Sequence, residues 1–283
     1  MNILVMGVNS PDYLQDDIYH GLKSLYDVNV ESNVALSYLY DDYDGDITNL
    51  YGRGMSYARN IPARKRHVVS AYEIYGKLAA HYYDGVIFLS WRRWRDMYEH
   101  VALMMPKHRI ALIDGEDDSD LIYIPGHLNF KRELICSSQK DLLPISFAIP
   151  IEKLVVGVPE KSRIVSTEIP RSDRSYAFSS EEEYYGEYQA SRFAITHKRA
   201  GWDCKRHYEI LANRCVPIFR DIDACPEFTL TTLPKKLLLN MRDHWQSVTD
   251  DEYQYWQNEL FSWCESHLTT ITLARYVLGK LCG

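Results

Sequence analysis

The chain has 283 residues, of which 46% are hydrophobic and 25% are charged, a balance that indicates a folded globular protein and excludes a disordered one. Its formal net charge of −7 gives no long-range attraction to nucleic acid or to anionic membranes, although a local basic groove is compatible with it. The length suits two domains of about 130 to 150 residues each.

The cysteine pattern and the first residues exclude further classes of protein. The six cysteines are scattered and form no C-x-x-C pair, so they indicate neither a zinc ribbon nor a redox motif. We expect reduced thiols in a cytoplasmic protein. No apolar run approaches the ~20 residues that cross a bilayer. Residues 1–7 lack the charged and apolar regions of a signal peptide and are typical of a strand.

Short apolar runs alternate with amphipathic stretches along the first half of the chain. Residues 41–66 are polar, aromatic and glycine-bearing, and are predicted to form a long excursion. Continuous apolar strands separated by helices predict a parallel sheet covered on both faces, with ligands at the carboxyl ends of its strands. The predicted strands are 2–6, 27–31, 85–89 and 109–113, and the predicted helices run from the turn at 7–11 to residue 25, over 70–83 and over 94–105.

A second α/β series follows a predicted domain boundary at 155/156. Residues 1–155 are predicted to form an N-terminal Rossmann-like domain, and residues 156–283 a C-terminal domain whose last helices brace both. The predicted fold class is therefore α/β, with two Rossmann-like domains facing across a cleft. The predicted strands are 164–167, 193–196 and 216–219, and the predicted helices are 179–190, 204–214 and 250–282, the last one broken near His267.

The segment 191–209 has the pattern of a ligand-binding strand, loop and helix. The strand ends at Thr196, a basic glycine-bearing loop follows, and a helix is predicted to open after Asp203, which we expect to be its N-cap. At 100° per residue, one face of this helix is apolar and packs on the sheet. The other face carries Arg206, Glu209 and Asn213, and is predicted to point them into the cleft.

These residue types suit a ligand that carries a diphosphate and a ribose. Lys198, Arg199 and Arg206 can meet the diphosphate without a metal, together with N–H groups at the helix start. Glu209 can accept hydrogen bonds from both hydroxyls of the ribose. The alternative is an ordinary βα unit with a solvated basic loop and a surface Arg–Glu pair, and the spacing alone leaves both open.

The same segment carries a resemblance to a known family. The runs GWDCKRHYEILA at 201–212, CVPIF at 215–219 and CPE at 225–227 resemble the donor-binding half of GT-B glycosyltransferases, especially the exostosin-like and group 1 branches. Their R-x-x-E-x-L-A-x-G-x-x-P-I pattern falls here on Arg206, Glu209, Leu211, Ala212, Val216, Pro217 and Ile218. Asn213, Arg214 and Cys215 stand where the family has a glycine before the strand, and asparagine tolerates the left-handed turn. The rest of the chain resembles the family only in its architecture.

The resemblance implies a glycosyltransferase that uses a nucleotide sugar, expected to be UDP-linked, as its substrate, and needs neither a cofactor nor a metal. The residues implied to bind this donor are Lys198, Arg199, Gly201, Asp203, Arg206 and Glu209. The pair of glutamates eight residues apart, typical of retaining enzymes, is missing at this site, so the stereochemical outcome stays open.

The N-terminal domain is predicted to hold the acceptor. Asp114, Glu116 and Asp117 follow an apolar strand, so one of them is a candidate general base for the acceptor hydroxyl. An acidic turn or a divalent-ion site of no catalytic use is the alternative. The candidate acceptor or phosphate contacts are Gly7, Asn9 and Ser10 in the first βα turn, and Trp91 and Arg92 in the basic, aromatic run 91–95. A solvated helix start is the alternative for that run.

Two rival functions remain open from the sequence. The predicted acceptor is a saccharide or small molecule, which the acidic net charge favours. The first rival is a phage-type glycosyltransferase that modifies hydroxylated DNA bases and holds phosphates with the basic residues of 64–66 and 91–95. The second is a non-catalytic nucleotide- or carbohydrate-binding protein on the same scaffold. The sequence does not predict the sugar, the nucleobase or the oligomeric state.

Overall fold

The computed structural model describes residues 1–167 and 177–282. In this part of the chain the first half forms a six-stranded, fully parallel sheet in the order β2-β1-β3-β4-β5-β6. Its strands are β1 (Asn2–Met6), β2 (Asn29–Ser32), β3 (Gly85–Phe88), β4 (Ile110–Asp114), β5 (Leu128–Lys131) and β6 (Leu142–Pro144). The predicted parallel sheet is confirmed, and β5 and β6 extend it beyond the strands that the sequence predicts.

A second parallel sheet follows, in the order β7-β8-β9. Its strands are β7 (Arg163–Val165), β8 (Ser191–Thr196) and β9 (Val216–Phe219). The predicted boundary at 155/156 lies between β6 and β7, in chain that belongs to neither sheet. The fold is therefore α/β with two parallel sheets, while the division into two domains stays a prediction.

Helices lie between several strands of both sheets, and others follow the last strand. They are α1 (Tyr13–Ser24), α2 (Ala71–Ala79), α3 (Tyr98–Met104), α4 (Glu181–Ala190), α5 (Lys205–Ala212), α6 (Lys235–His244), α7 (Asp250–His267) and α8 (Thr270–Cys282). Capping boxes fix two of the starts, Ser70 with Glu73 at α2 and Thr249 with Glu252 at α7. Helix α3 begins later than predicted, after Met97, whose backbone is left-handed (φ 63°). None of the helices in the described residues combines the length and apolar character that crossing a membrane requires.

Helix α8 returns to the first sheet and joins the two halves of the molecule. We call the six-stranded sheet with α1, α2, α3 and α8 the first lobe, and the three-stranded sheet with α4 to α7 the second lobe. Helix α8 packs against α1 so closely that a Cβ on Gly21 would lie 1.9 Å from the Thr270 carbonyl oxygen. A single hydrophobic cluster contains Ile3 and Val5 of β1 together with Phe193 of β8, so the lobes share a continuous core.

Candidate functional site

Two adjoining cavities lie where the lobes meet. The first-lobe cavity, of about 310 Å³, is lined by residues that follow each of the six strands of the first sheet. The interlobe cavity, of about 250 Å³, adds residues of the loop after β8 and of α5. Both are lined by Tyr13, Tyr51, Asp117 and Phe147. The two cavities therefore form one cleft at the carboxyl ends of parallel strands, where α/β proteins bind their ligands.

The structure brings most of the predicted donor-binding residues together. Those that line the interlobe cavity are Arg199, Gly201, Asp203, Arg206 and Glu209. The structure corrects the prediction for Lys198, which is exposed and does not line this cavity. Its ammonium lies over the Trp202 ring, 5.2 Å from the ring centre, and its backbone N–H donates to Asp221.

Arg199 and Arg206 differ from the other cations of the cleft. Within residues 1–167 and 177–282 neither guanidinium makes an ion pair, and the buried Nε atom of the half-buried Arg206 side chain has no hydrogen-bond partner. Lys205, between them in sequence and lining the same cavity, is buried in an ion pair with Asp17 of α1 and also donates to the Ala148 carbonyl at 2.5 Å. The cleft thus holds two guanidinium groups that form no ion pair within the described residues, although the Glu209 carboxylate lies near Arg206.

Glu209 lies one turn beyond Arg206 on α5 and is almost fully buried. Its Oε1 accepts a hydrogen bond from the Ser56 hydroxyl, and its Oε2 accepts one from the Tyr184 hydroxyl at 2.8 Å. Burial raises the pKa of this carboxyl, although both hydrogen bonds and the nearby Lys205 and Arg206 lower it. Each carboxylate oxygen keeps a second lone pair, so Glu209 can still accept hydrogen bonds from a ligand's hydroxyls.

Asp203 is not the N-cap of α5, so that prediction is wrong. The helix begins at Lys205 with Cys204 as its cap residue, and the Cys204 side chain makes no capping hydrogen bond. The Asp203 carboxylate is instead buried, where it accepts from the Phe147 N–H at 2.7 Å and the Tyr208 hydroxyl at 3.0 Å. Burial raises its pKa to about 7, against the lowering effect of Arg132.

Glu133 of the first lobe binds the predicted phosphate loop, a contact that the sequence did not predict. Its carboxylate accepts from the N–H groups of Trp202 and Asp203, both at 3.0 Å, and from Arg132 at 2.9 Å. A Cβ on Gly201 would lie 2.5 Å from Glu133 Oε1, so the close approach requires glycine. These two N–H groups are therefore taken. The His207 N–H donates to the Cys204 carbonyl at 3.0 Å, so within the described residues the N–H groups of Lys205 and Arg206 are those left for an anion.

Glu116 and Asp117 line the first-lobe cavity, whereas Asp114 does not. The Asp114 carboxylate lies at the end of β4, is buried, and accepts from the fully buried Lys131 ammonium at 3.0 Å. Burial raises its pKa, but no acceptor placed in the cavity can reach it directly. Asp114 is thus removed as a candidate base, because its partner is a buried lysine of the neighbouring strand.

The two remaining carboxylates form ion pairs with arginines of the same cavity. Glu116 accepts from Arg93 Nε at 2.5 Å, and Arg93 Nη1 also lies 3.1 Å from Asp12. Asp117 accepts from Arg132. The Arg132 side chain is buried, so it links the carboxylates of the cavity to the loop that carries Asp203.

The predicted contacts in the first βα turn do not line either cavity. Gly7 donates its N–H to the Asn33 side chain at 2.9 Å, and a Cβ on Gly7 would meet Gln15 at 2.5 Å. Asn9 and Ser10 are exposed outside the cleft. The turn instead contributes Pro11 and Asp12, one residue further along the chain.

The predicted contacts Trp91 and Arg92 are also outside the cleft lining. Trp91 is buried between Phe88 and Tyr98, with ring centres 5.8 and 4.8 Å away. Arg92 pairs with Asp118. Arg93 of the same run lines the first-lobe cavity in their place. Arginines and tryptophans are mixed in this run, but the pattern does not tell which arginine faces the cavity.

The excursion after β2 supplies a wall of the cleft that the sequence did not assign. Gly52, Arg53 and Ser56 have left-handed backbones, and this strained segment reaches across to the second lobe. Arg53 Nη1 donates to the Phe178 carbonyl at 2.8 Å, and the Ser56 N–H donates to Glu181 at 2.5 Å. The glycines at 52 and 54 are the sequence signal for such turns.

The described residues contain no group of three or more His, Cys, Asp or Glu side chains placed to hold a metal ion. No protein-family model matches this chain, and no curated protein is similar enough to it to count as a relative.

Proposed function

We propose that the chain is a glycosyltransferase of the GT-B type that moves a sugar from a nucleotide-diphosphate sugar to an acceptor hydroxyl. One observation carries the proposal: Arg199 and Arg206 line the interlobe cavity and make no ion pair within the described residues. Guanidinium groups bind phosphate oxygens in a paired geometry, and a half-buried cation without a partner is costly. A diphosphate is an anion that fits both requirements.

Glu209 supports a nucleotide rather than a free diphosphate. It follows Arg206 by three residues on α5, so the two side chains are neighbours on the helix surface. A nucleotide whose diphosphate binds Arg206 has its ribose hydroxyls near the neighbouring side chain on α5. There the Glu209 carboxylate accepts hydrogen bonds from them. The resemblance of 201–227 to GT-B donor sites supports the same assignment, with UDP as the expected nucleotide.

The transfer step needs a proton acceptor for the attacking hydroxyl. Glu116 or Asp117 takes this proton while the acceptor oxygen bonds to the anomeric carbon of the sugar. The bond from that carbon to the diphosphate oxygen breaks, and the diphosphate leaves with the electron pair. Arg199 and Arg206 stabilise the negative charge that develops on it.

Nucleotide binding tests the proposal directly. We expect UDP, or another nucleoside diphosphate in a panel of five, to raise the melting temperature of the wild-type protein by mass action. Arg206→Ala should weaken binding by about 10- to 100-fold, the range for losing hydrogen bonds to a charged group. Lys198→Ala is the matched control, since Lys198 lies outside the cavity lining, and it should bind as the wild type does.

Three outcomes would count against the proposal. If none of the nucleotides or their sugars shifts the melting temperature, the cavity is not a nucleotide site. If Lys198→Ala loses as much affinity as Arg206→Ala, binding follows overall charge and not this cavity. If a nucleotide sugar binds but is neither transferred nor slowly hydrolysed without acceptor, the chain is a non-catalytic binding protein.

A further inference from the structure

The first-lobe cavity adjoins the proposed donor site and has its own charge character. Its volume of about 310 Å³ is in the range of small-ligand sites. The aromatic rings of Tyr13, Tyr51 and Phe147 form its boundary with the interlobe cavity. A molecule held there would therefore lie next to the proposed donor site, as an acceptor must.

Arg132 in this cavity has almost no donor left for a ligand. An arginine has five N–H donors. Four hydrogen bonds from Arg132 are present: Nε donates to the Gly115 carbonyl at 2.9 Å, Nη1 to Glu133 at 2.9 Å and to the Asp203 carbonyl at 2.5 Å, and Nη2 to Asp117. The Phe147 ring, 4.5 Å from the guanidinium carbon, covers one face.

Arg93, the other cation of the cavity, is held by two carboxylates. Glu116 accepts from its Nε at 2.5 Å, and Asp12 lies 3.1 Å from its Nη1. With Asp117, the carboxylates in the lining outnumber the guanidinium groups three to two. A phosphate that enters this cavity meets cations that already have partners and carboxylates that outnumber them. Attraction to the cations therefore does not offset the repulsion between the phosphate and the carboxylates.

The lining nevertheless suits hydroxyl groups. Carboxylate oxygens accept hydrogen bonds from hydroxyls without giving up their ion pairs, because each oxygen has a second lone pair. The rings of Tyr13 and Tyr51 offer flat apolar faces with polar tips, which suit the apolar faces and polar edges of a sugar ring. Three carboxylates also line the interlobe cavity, but it differs because Arg199 and Arg206 there form no ion pair within the described residues.

We infer that the first-lobe cavity takes an uncharged, hydroxyl-rich acceptor such as a sugar ring, and that it discriminates against acceptors that carry phosphate, nucleic acid included. The role as acceptor site rests on the proposed function. The charge preference of the cavity does not, and it can be measured without any transfer reaction.

Selenate, a divalent tetrahedral anion that resembles a phosphate group, is the probe. Crystals of the full chain are soaked in selenate, and the selenium atoms are located by their anomalous scattering. In the wild type we expect selenate at Arg199 and Arg206 and none in the first-lobe cavity. The double variant Glu116→Gln/Asp117→Asn keeps the shape of the lining but removes two of its three carboxylates, and it should gain a selenate beside Arg93 and Arg132.

The outcomes separate this inference from the proposed function. Selenate in the first-lobe cavity of the wild type would overturn the inference, and so would an empty cavity in the double variant. A lack of selenate at Arg199 and Arg206 would count against the proposed donor site alone. In solution, a single-stranded DNA oligonucleotide that binds the wild type with steep salt dependence, and loses that affinity in Arg93→Ala, would place nucleic acid in the cavity and overturn the inference.

Discussion

Helices α1 and α5 follow strands of different sheets, face the same cleft, and begin in opposite ways. At α1 the Asp12 carboxylate caps the helix by accepting from the N–H groups of Leu14 and Gln15. At α5 the cap residue is Cys204, whose side chain makes no such bond. The start of α1 is therefore satisfied by its own sequence, whereas the start of α5 keeps free N–H groups for another acceptor.

The charges on the two helices also differ, and the difference agrees with that in their capping. Helix α1 carries the buried acids Asp16 and Asp17, and α5 begins with Lys205 and Arg206. Lys205 forms an ion pair with Asp17, which leaves Arg206 as the cation that forms no ion pair within the described residues. We therefore expect the uncapped, cationic start of α5 to bind an anionic ligand more readily than the capped, acidic start of α1.

The ion pair between Lys205 and Asp17 is where the two helices meet, and breaking it should have the largest effect. Lys205→Met leaves the Asp17 carboxylate buried without its ion pair, and the Ala148 N–H, 2.9 Å away, still donates to it. Removing one partner of a buried ion pair costs about 3–5 kcal/mol. We expect the free energy of unfolding, measured by urea denaturation, to fall by this amount.

The double variant Asp17→Asn/Lys205→Met is the control for that prediction. It removes the charge that the single variant leaves uncompensated, and the Asn side-chain oxygen can still accept from Ala148. We expect it to recover most of the lost stability. A single variant as stable as the wild type would show that the lobes do not depend on this contact.

The loop before α5 should give stability an unusual pH dependence. Burial raises the pKa of Asp203 to about 7 from an ordinary 3.8, so the folded state binds this proton more tightly than the unfolded state. The contribution of this group is thus fully present below pH about 4 and is lost as the pH rises through about 7. It is on the order of a few kcal/mol, since each pKa unit corresponds to about 1.4 kcal/mol.

Asp203→Asn tests this dependence because the amide resembles the protonated acid. Its oxygen can accept from the Phe147 N–H, and its amino group can donate to the Tyr208 hydroxyl oxygen. The variant should gain stability over the wild type as the pH rises from 4 to 8, measured as the difference between their unfolding free energies. A constant difference across that range would mean that Asp203 titrates as an exposed acid does.

The sequence predicted most accurately the strands that consist of continuous apolar runs. The predicted bounds of β1 and β9 match the structure, since these strands read as continuous buried runs. Strand β5 was missed because its buried residues include Asn129 and Lys131. Asn129 is satisfied by the Ile124 backbone and Lys131 by Asp114, and such tertiary partners cannot be deduced from local composition.

The candidate site was predictable where it depends on one helix and not where it depends on two lobes. Spacing on α5 indicates that Arg206 and Glu209 share a face, and both line the interlobe cavity. Asn213, predicted on the same face, is instead fully buried against Gln189. The contact of Glu133 with the loop at 201–203 joins residues about 70 positions apart, and no local pattern signals it.

That contact makes Gly201 a sensitive position in the loop before α5. Gly201→Ala places a Cβ 2.5 Å from Glu133 Oε1, which is closer than real contacts allow. Overpacking of this kind costs about 1–3 kcal/mol. Gly186→Ala in α4 is the matched control, since a Cβ there meets nothing within 4 Å and alanine favours a helix by about 0.5–1 kcal/mol. Thermal unfolding should show a loss for the first variant and a gain for the second.

The cap of α1 should give the smallest effect and the cleanest contrast with α5. Asp12→Ala removes the acceptor for the Leu14 and Gln15 N–H groups, 3.1 and 3.2 Å away, and should destabilise the protein by about 0.5–2 kcal/mol. Asp12→Asn keeps the cap but not the charge beside Arg93, so it should stay close to the wild type in stability.

Cys204→Asp makes the reciprocal change at α5, because it adds a cap. The cap should stabilise the apo protein slightly. It should also weaken the binding of UDP, because the new carboxylate competes for the free N–H groups. If Cys204→Asp binds UDP as well as the wild type does, the start of α5 does not contact the diphosphate, and the difference between the two helices concerns folding alone.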